Sequence, residues 1–329
     1  MKPVSFAITL RAHGGPEQLV RTEFEPSSPP RHHVLLRQTA IGVNFIDVYN
    51  RNGLYPLPSL PHGIGQEAVG EVLEVGDGVT DLRVGDRVGY AIAGAPGAYA
   101  THRCVEAWRC VPIPRAIDDV TAAAILLKGL SAEMLVRRVW RVGPGQRALV
   151  HAAAGGVGLL LCQWLRHLGA HVHGVVSGAA KAEAAMQHGC HRPIVDGEED
   201  FVDVVRIATK RKGVDVVYDS TGKSTLLRSL QCLRARGMLV AFGNSSGAPE
   251  PLDLLELTRN GSLFCTRPTL LDYTRTVQEL QRSAQALFTV VQQGAVKPPP
   301  ITVLPLADAS AAHRLLEDRS RIGAIVLVP

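Results

Sequence analysis

The stretch His151-Ala152-Ala153-Ala154-Gly155-Gly156-Val157-Gly158 decides how this chain folds. It follows a short apolar run over residues 147–151 and opens an amphipathic segment over 159–168 that closes at Gly169. A strand, a glycine turn and a helix in that order let backbone N–H groups approach a pyrophosphate at the positive end of the helix. Read as G-x-G-x-x-G, Ala153 takes the first position, and Gly155 and Gly158 match. A plain tight turn leaves the same local trace, so the flanking segments have to decide.

They alternate. Further strands are expected over 171–176, 193–195, 214–219, 238–243 and 262–266, with helices around 181–188, 201–209 and 225–233. Continuous apolar strands separated by amphipathic helices imply a parallel sheet covered on both faces. Six of them make a complete doubly wound dinucleotide fold.

Residues 1–120 have a different texture. Strands are expected over 1–10, 34–41, 67–76, 87–92 and 99–105, between Pro and Gly clusters such as 26–30 and 56–61. After Arg267 come a helix over 277–293, ended by Gly294, and two β-like runs over 301–304 and 324–328. A short strand at the C-terminus usually returns to a sheet, so the tail is expected to pack back on the first domain. The reading is therefore α/β with a discontinuous β-rich domain over 1–122 and 267–329 and a nucleotide domain over 123–266.

Composition narrows the functional classes. The 329 residues suit two domains, and 46% hydrophobic with 20% charged residues argues against disorder. The 35 basic and 30 acidic residues leave a net +5 with no long like-charged run. That excess favours an anionic small ligand over nucleic acid. The apolar stretch 149–165 is broken by three glycines and is no membrane span. Nothing at the start reads as a signal peptide, and Cys104, Cys110, Cys162, Cys190, Cys232 and Cys265 form no regular framework, so a reducing cytoplasm is expected. Cys162, Cys232 and Cys265 read as small core residues.

The end of the second strand chooses the cofactor. An NAD enzyme places Asp or Glu there for the ribose hydroxyls. This chain has Val176-Ser177-Gly178 with Lys181 beyond, which suits a 2′-phosphate and hence NADPH.

Asn44-Phe45-Ile46-Asp47, Gly65-Gln66-Glu67-Ala68, Val84-Gly85-Asp86-Arg87-Val88, Leu127-Lys128-Gly129-Leu130, the glycine loop, Gly243-Asn244-Ser245-Ser246-Gly247 and Thr266-Arg267-Pro268 occur in that order. Together they resemble the quinone oxidoreductase (zeta-crystallin-like) branch of the medium-chain dehydrogenase/reductase superfamily, nearly end to end. The resemblance implies a GroES-like catalytic domain, a Rossmann domain, a cleft between them and a homodimer. It also implies Asn44, Phe45 and Tyr49 beside the nicotinamide, and Lys128, Gly155, Gly156 and Val157 along the phosphates. Ser177, Gly178 and Lys181 would meet the 2′-phosphate, with Ser220, Phe242, Gly243, Asn244, Ser245 and Arg267 completing the site. One position departs: NADPH-preferring relatives often carry Tyr after the third strand, and here Asp196 stands there. Its carboxylate repels a 2′-phosphate unless it turns outward or pairs with Arg192.

No metal is expected. Gln66 stands where zinc alcohol dehydrogenases, which the chain also resembles, place a His ligand, and no Cys lies over 44–47 or 94–100. The implied activity is hydride transfer from NADPH to a quinone or another conjugated carbonyl, with Asn44 and Tyr49 orienting the reactants. Two alternatives share the cofactor: an enone or enoyl-thioester reductase, and a non-catalytic crystallin-like protein binding NADPH and, in one variant, RNA.

Overall fold

The computed structural model describes residues 4–92 and 94–329, so the first residues of the strand expected over 1–10 lie outside the described residues. In chain order come β1 (Phe6–Leu10), β2 (Leu19–Glu23), β3 (His33–Val43), α1 (Phe45–Asn52), β4 (His62–Gly63), β5 (Glu67–Val75), β6 (Arg87–Ala91), β7 (His102–Glu106) and β8 (Val111–Pro112). Next are α2 (Asp119–Met134), β9 (Arg147–Val150), α3 (Gly156–His167), β10 (His171–Val176), α4 (Ala179–Gln187), β11 (Arg192–Val195), α5 (Phe201–Ala208) and β12 (Val214–Asp219). The chain ends through α6 (Leu226–Leu230), β13 (Leu233–Ala241), α7 (Leu254–Arg259), β14 (Phe264–Thr266), α8 (Leu270–Tyr273), α9 (Val277–Gln292), β15 (Ile301–Pro305), α10 (Ala309–Glu317) and β16 (Ala324–Val328).

Two compact units result. The first comprises Met1–Leu127, Arg275–Phe288 and Pro298–Pro329; the second comprises Lys128–Thr274 and Thr289–Lys297. Two of the four divisions fall inside α2 and α9, and the other two fall at 274/275 and 297/298, between elements.

The first unit is built on β3. This long strand pairs with β5 along one edge, and on the other with β7 over His33–Arg37 and then with β16 over Ile41–Val43. The seven-stranded sheet has the order β15-β16-β3-β5-β6-β8, with β7 off that path, and a small sheet β2-β1-β4 accompanies it. The C-terminal strand thus closes on β3 by antiparallel pairing. Leu36, Ile41, Ile64, Tyr90, Tyr99 and Ile325 form the heart of its core, each fully buried. Burying each such side chain stabilises the unit by roughly 1.5–3 kcal/mol before chain entropy is subtracted.

In the second unit the order is β11-β10-β9-β12-β13-β14, all parallel. By position along the chain this is 3-2-1-4-5-6, whose order reverses between β9 and β12. Val150, Val172, Val216 and Val217 are fully buried, as strands covered on both faces require. β13 is longer than expected and α6 shorter, because the chain turns at 231–232 and runs extended from 233. Cys265 corrects the core reading: it lies exposed on the edge strand β14, where no further strand covers it, while Cys110 and Cys190 are buried instead.

Candidate functional site

In the second unit the crevice outside the carboxyl ends of β9 and β12 is where the doubly wound topology places a ligand. The turn after β9 is held from both sides: His151 N–H donates to the Tyr218 carbonyl at 3.0 Å and Ala153 N–H to the Val175 carbonyl at 3.0 Å. Gly155 N–H is spent on the Ala152 carbonyl at 2.9 Å, so Gly155 shapes the turn and caps α3 rather than offering its own amide. The first intrahelical bond comes from Leu159, and among the described residues the amides of Gly156, Val157 and Gly158 find no protein acceptor. Three open donors at the head of a twelve-residue helix fit a pyrophosphate. Gly158 permits the approach, since a Cβ there would overlap the Ala152 carbonyl and stand 2.8 Å from that of Ala153.

Other expected residues gather at the ends of the neighbouring strands. Ser177, Gly178 and Lys181 follow β10, Ser220 follows β12, Phe242, Gly243, Asn244 and Ser245 follow β13, and Arg267 follows β14. Their loops are stitched together: Phe242 N–H donates to Asp219 O at 2.8 Å, and Ser245 N–H to Ser220 O at 3.2 Å. Arg267 Nη1 donates to the carbonyls of Ala241 and Gly243 at 3.4 and 3.3 Å. Lys128 is buried on α2, away from the row of strand ends in sequence. Arg192 does not pair with Asp196; its guanidinium bonds Glu199, because the turn after β11 brings Glu199 back beside it.

Sequence reasoning passed over the residue that organises these loops. Asp219 is fully buried and accepts from Thr221 N–H (2.8 Å), Gly222 N–H (3.0 Å), Thr225 Oγ1 (2.8 Å) and Ser229 Oγ (3.1 Å). Ser229 spends its proton on Asp219, so His151 Nε2–H donates to the Ser229 hydroxyl across 2.9 Å. Burial lowers the His151 pKa, which keeps the ring neutral beneath the glycine turn.

Asn44, Phe45 and Tyr49 belong to the first unit, on or just before α1. Asn44 is the N-cap, and its N–H donates to Asp47 Oδ2 at 2.9 Å. Its side-chain Nδ2 donates to Glu67 Oε1 at 2.8 Å, and Glu67 Oε2 accepts the Leu127 N–H at 2.7 Å. Glu67 therefore fixes which way the Asn44 amide faces. Gly42 makes room for it, as a Cβ there would overlap the Glu67 carboxylate and lie 2.5 Å from the Ala123 carbonyl. Tyr49 is buried, with its ring 6.2 Å from Phe45 and edge-on to Tyr55 at 5.1 Å. Gln66 donates to Asn50 Oδ1 at 3.2 Å, and Asn50 holds the Tyr55 carbonyl at 3.0 Å. Among the described residues no three His, Cys, Asp or Glu side chains are grouped to hold a metal ion, and no helix is long and apolar enough to cross a membrane.

A buried chain of hydrogen bonds supports α1 from behind. Tyr99 Oη donates to Asp47 Oδ2 at 3.0 Å and accepts from His313 Nε2 at 3.1 Å, while Arg51 Nη1 donates to His313 Nδ1 at 3.2 Å. Arg51 closes the chain with two 2.9 Å bonds to Glu317. Burial, with the Arg51 charge beside it, lowers His313 to about 3, and burial beside Asp47 raises the Tyr99 phenol, so every proton direction is set. The signal for α10 was the apolar spacing Ala309, Ala312, Leu316.

Residues 30–115 match the family described as alcohol dehydrogenase GroES-like domain, and residues 156–283 the family described as zinc-binding dehydrogenase. Quinone oxidoreductase 1 of Escherichia coli is 44% identical over 98% of this chain and 99% of its own. The chain belongs to the quinone oxidoreductase family. A solved structure of an Escherichia coli quinone oxidoreductase with NADPH superposes at a TM-score of 0.96, covering 98% of this chain and all of that one. The family reaches beyond quinones by name: a 2-haloacrylate reductase of Burkholderia is also 44% identical, over 98% of each chain.

Proposed function

We propose that this protein is a cytoplasmic NADPH-dependent quinone reductase that works without a metal. The observation carrying the reading is the trio of open amides at the head of α3, with Lys181 in the segment after the neighbouring strand β10, in a chain similar end to end to quinone oxidoreductases. When bound, NADPH supplies the hydride. Gly155 shapes the loop whose Gly156 and Val157 amides hold the pyrophosphate, with Lys128 along the phosphates. Ser177, Gly178 and Lys181 take the 2′-phosphate; Ser220, Phe242, Gly243, Asn244, Ser245 and Arg267 line the rest of the nucleotide.

Asn44 and Tyr49 orient the acceptor carbonyl and the nicotinamide amide. A quinone that gains a hydride becomes a resonance-stabilised hydroquinone anion, which solvent protonates. The protein has only to hold, orient and exclude water, so no Lewis acid is required of Gln66. Absorbance at 340 nm with 1,4-benzoquinone tests this directly. NADPH oxidation is expected, and both Asn44→Ala and Tyr49→Phe are expected to lower kcat/KM about tenfold or more. Unchanged turnover and Michaelis constants in both variants remove the two residues from the site.

The 2-haloacrylate reductase relative supports a second reading, an electron-poor conjugated alkene as acceptor, since its reduction shares the delocalised anion. Faster turnover of such an alkene than of any quinone in the same assay selects it. The protein is further proposed to be a homodimer through β14, a sheet edge whose Phe264 is 55% exposed. Light scattering is expected to give twice the mass of one chain, and Phe264→Glu to halve it.

A further inference from the structure

The carboxyl ends of β10 and β11 lie side by side. Val176 pairs with Val195 in the parallel ladder, and the Asp196 N–H donates to the Val176 carbonyl at 2.8 Å. Asp196 is therefore the cross-strand neighbour of Ser177, the first residue of the segment that ends at Lys181. Its side chain is exposed and makes no hydrogen bond or ion pair among the described residues. The nearest arginine in sequence, Arg192, is held by Glu199 and leaves the Asp196 charge uncompensated. That charge also acts on His151, buried at the end of β9 two strands away, where it favours the protonated ring. Its field thus extends along the carboxyl edge of the sheet.

We propose that Asp196 is a specificity-determining residue for the nucleotide: its carboxylate opposes Lys181 at the ribose 2′ position and keeps the preference for a 2′-phosphate over a 2′-hydroxyl small. The proposal rests on the reading of this crevice as the NADPH site. A phosphate monoester carries between one and two negative charges at neutral pH, so the lysine attracts it while the aspartate repels it. A 2′-hydroxyl has the opposite relation to the pair, because it can donate its proton to a carboxylate. The residue that weakens NADPH therefore offers NADH a partner.

Calorimetric binding of 2′,5′-ADP and 5′-AMP isolates the 2′-phosphate without turnover. In the unaltered protein the two probes are expected to bind within about tenfold of each other. Asp196→Asn, which keeps size and removes charge, is expected to tighten 2′,5′-ADP about fivefold at low salt while moving 5′-AMP by less than about twofold. High salt is expected to shrink that gain, since the pair is exposed and screened. Lys181→Ala is expected to weaken 2′,5′-ADP alone. An equal shift of both probes in Asp196→Asn places the carboxylate on the adenosine they share and overturns the proposal, as does no shift in either. Binding of neither probe, nor of NADPH, by the unaltered protein overturns the nucleotide-site reading itself, a different failure.

Discussion

Replacing Glu67 with alanine is expected to destabilise the first unit by roughly 2–6 kcal/mol and to lower quinone-dependent turnover at least about tenfold. Both oxygens of this fully buried carboxylate are engaged, one by Asn44 Nδ2 at 2.8 Å and the other by the Leu127 amide at 2.7 Å. Truncation takes the carboxylate from two buried donors, leaving Asn44 Nδ2 the Gly42 carbonyl at 3.3 Å, and each such loss costs about 1–3 kcal/mol. Glutamine does not repair the site, because its NH2 would face one of the same two donors. Gly42→Ala attacks the same point from the other side by driving a methyl into the carboxylate. Urea unfolding measures the stability loss, and steady-state kinetics at fixed protein concentration measures the turnover. The separating readout is nucleotide binding: the residues proposed to hold the nucleotide's phosphates belong to the second unit, so NADPH affinity is expected to fall far less than kcat. Equal losses in both would mean that Glu67 supports the whole fold and not the Asn44 amide.

Glu67 also marks the limit of what the chain reveals before it is folded. The six parallel strands were legible because runs such as 148–150 carry their own signal: apolar on both faces, bounded by turns and helices. The glycine turn was legible because its spacing is local. α1 escaped notice inside β-rich surroundings, although Asn44 and Asp47 form an N-terminal capping pair and Gly53 ends the helix in the left-handed region. What no local pattern contains is pairing across distance. His313 meets Tyr99 and Arg51 only because α10 folds back 214 and 262 residues later. The Arg192 pairing shows the same limit in miniature: the sequence left Asp196 either turned outward or paired with Arg192, and the turn geometry gave Arg192 to Glu199.

Acid is expected to unfold this protein through its buried imidazoles well before its carboxylates titrate. His313 is lowered to about 3 and His173 to about 4, both chiefly by burial. Among the described residues no group meets either ring nitrogen of His173 in full hydrogen-bond geometry, the Ala148 backbone being the nearest partner to act on the ring. An imidazole kept neutral in the fold but free to protonate near pH 6.5 in the unfolded chain gives the unfolded state the larger proton count. Stability therefore rises with pH across the window from the folded pKa to about 6.5 and falls on acidification through it. Each group contributes a slope approaching 1.4 kcal/mol per pH unit, so the pair removes about 3 kcal/mol between pH 6.5 and pH 5. His151, His102, His171 and His191 are shifted in the same direction and add to it. Glu106 and Asp118 are lowered by their hydrogen bonds to Arg109 and Thr121, so their contribution is lost only at more acid pH. The window between pH 5 and 6.5 thus belongs to histidine. His173→Phe keeps the ring volume, so it is expected to change stability little at pH 7.5 while taking away about 1.5 kcal/mol of the acid loss, half of the pair's share. His313→Phe is the contrasting case: it strips acceptor and donor from Arg51 and Tyr99 and is expected to destabilise at every pH, by roughly 2–4 kcal/mol at pH 7.5. Urea unfolding at pH 7.5, 6 and 5 separates the two, and an acid loss undiminished in His173→Phe would assign the effect to other groups.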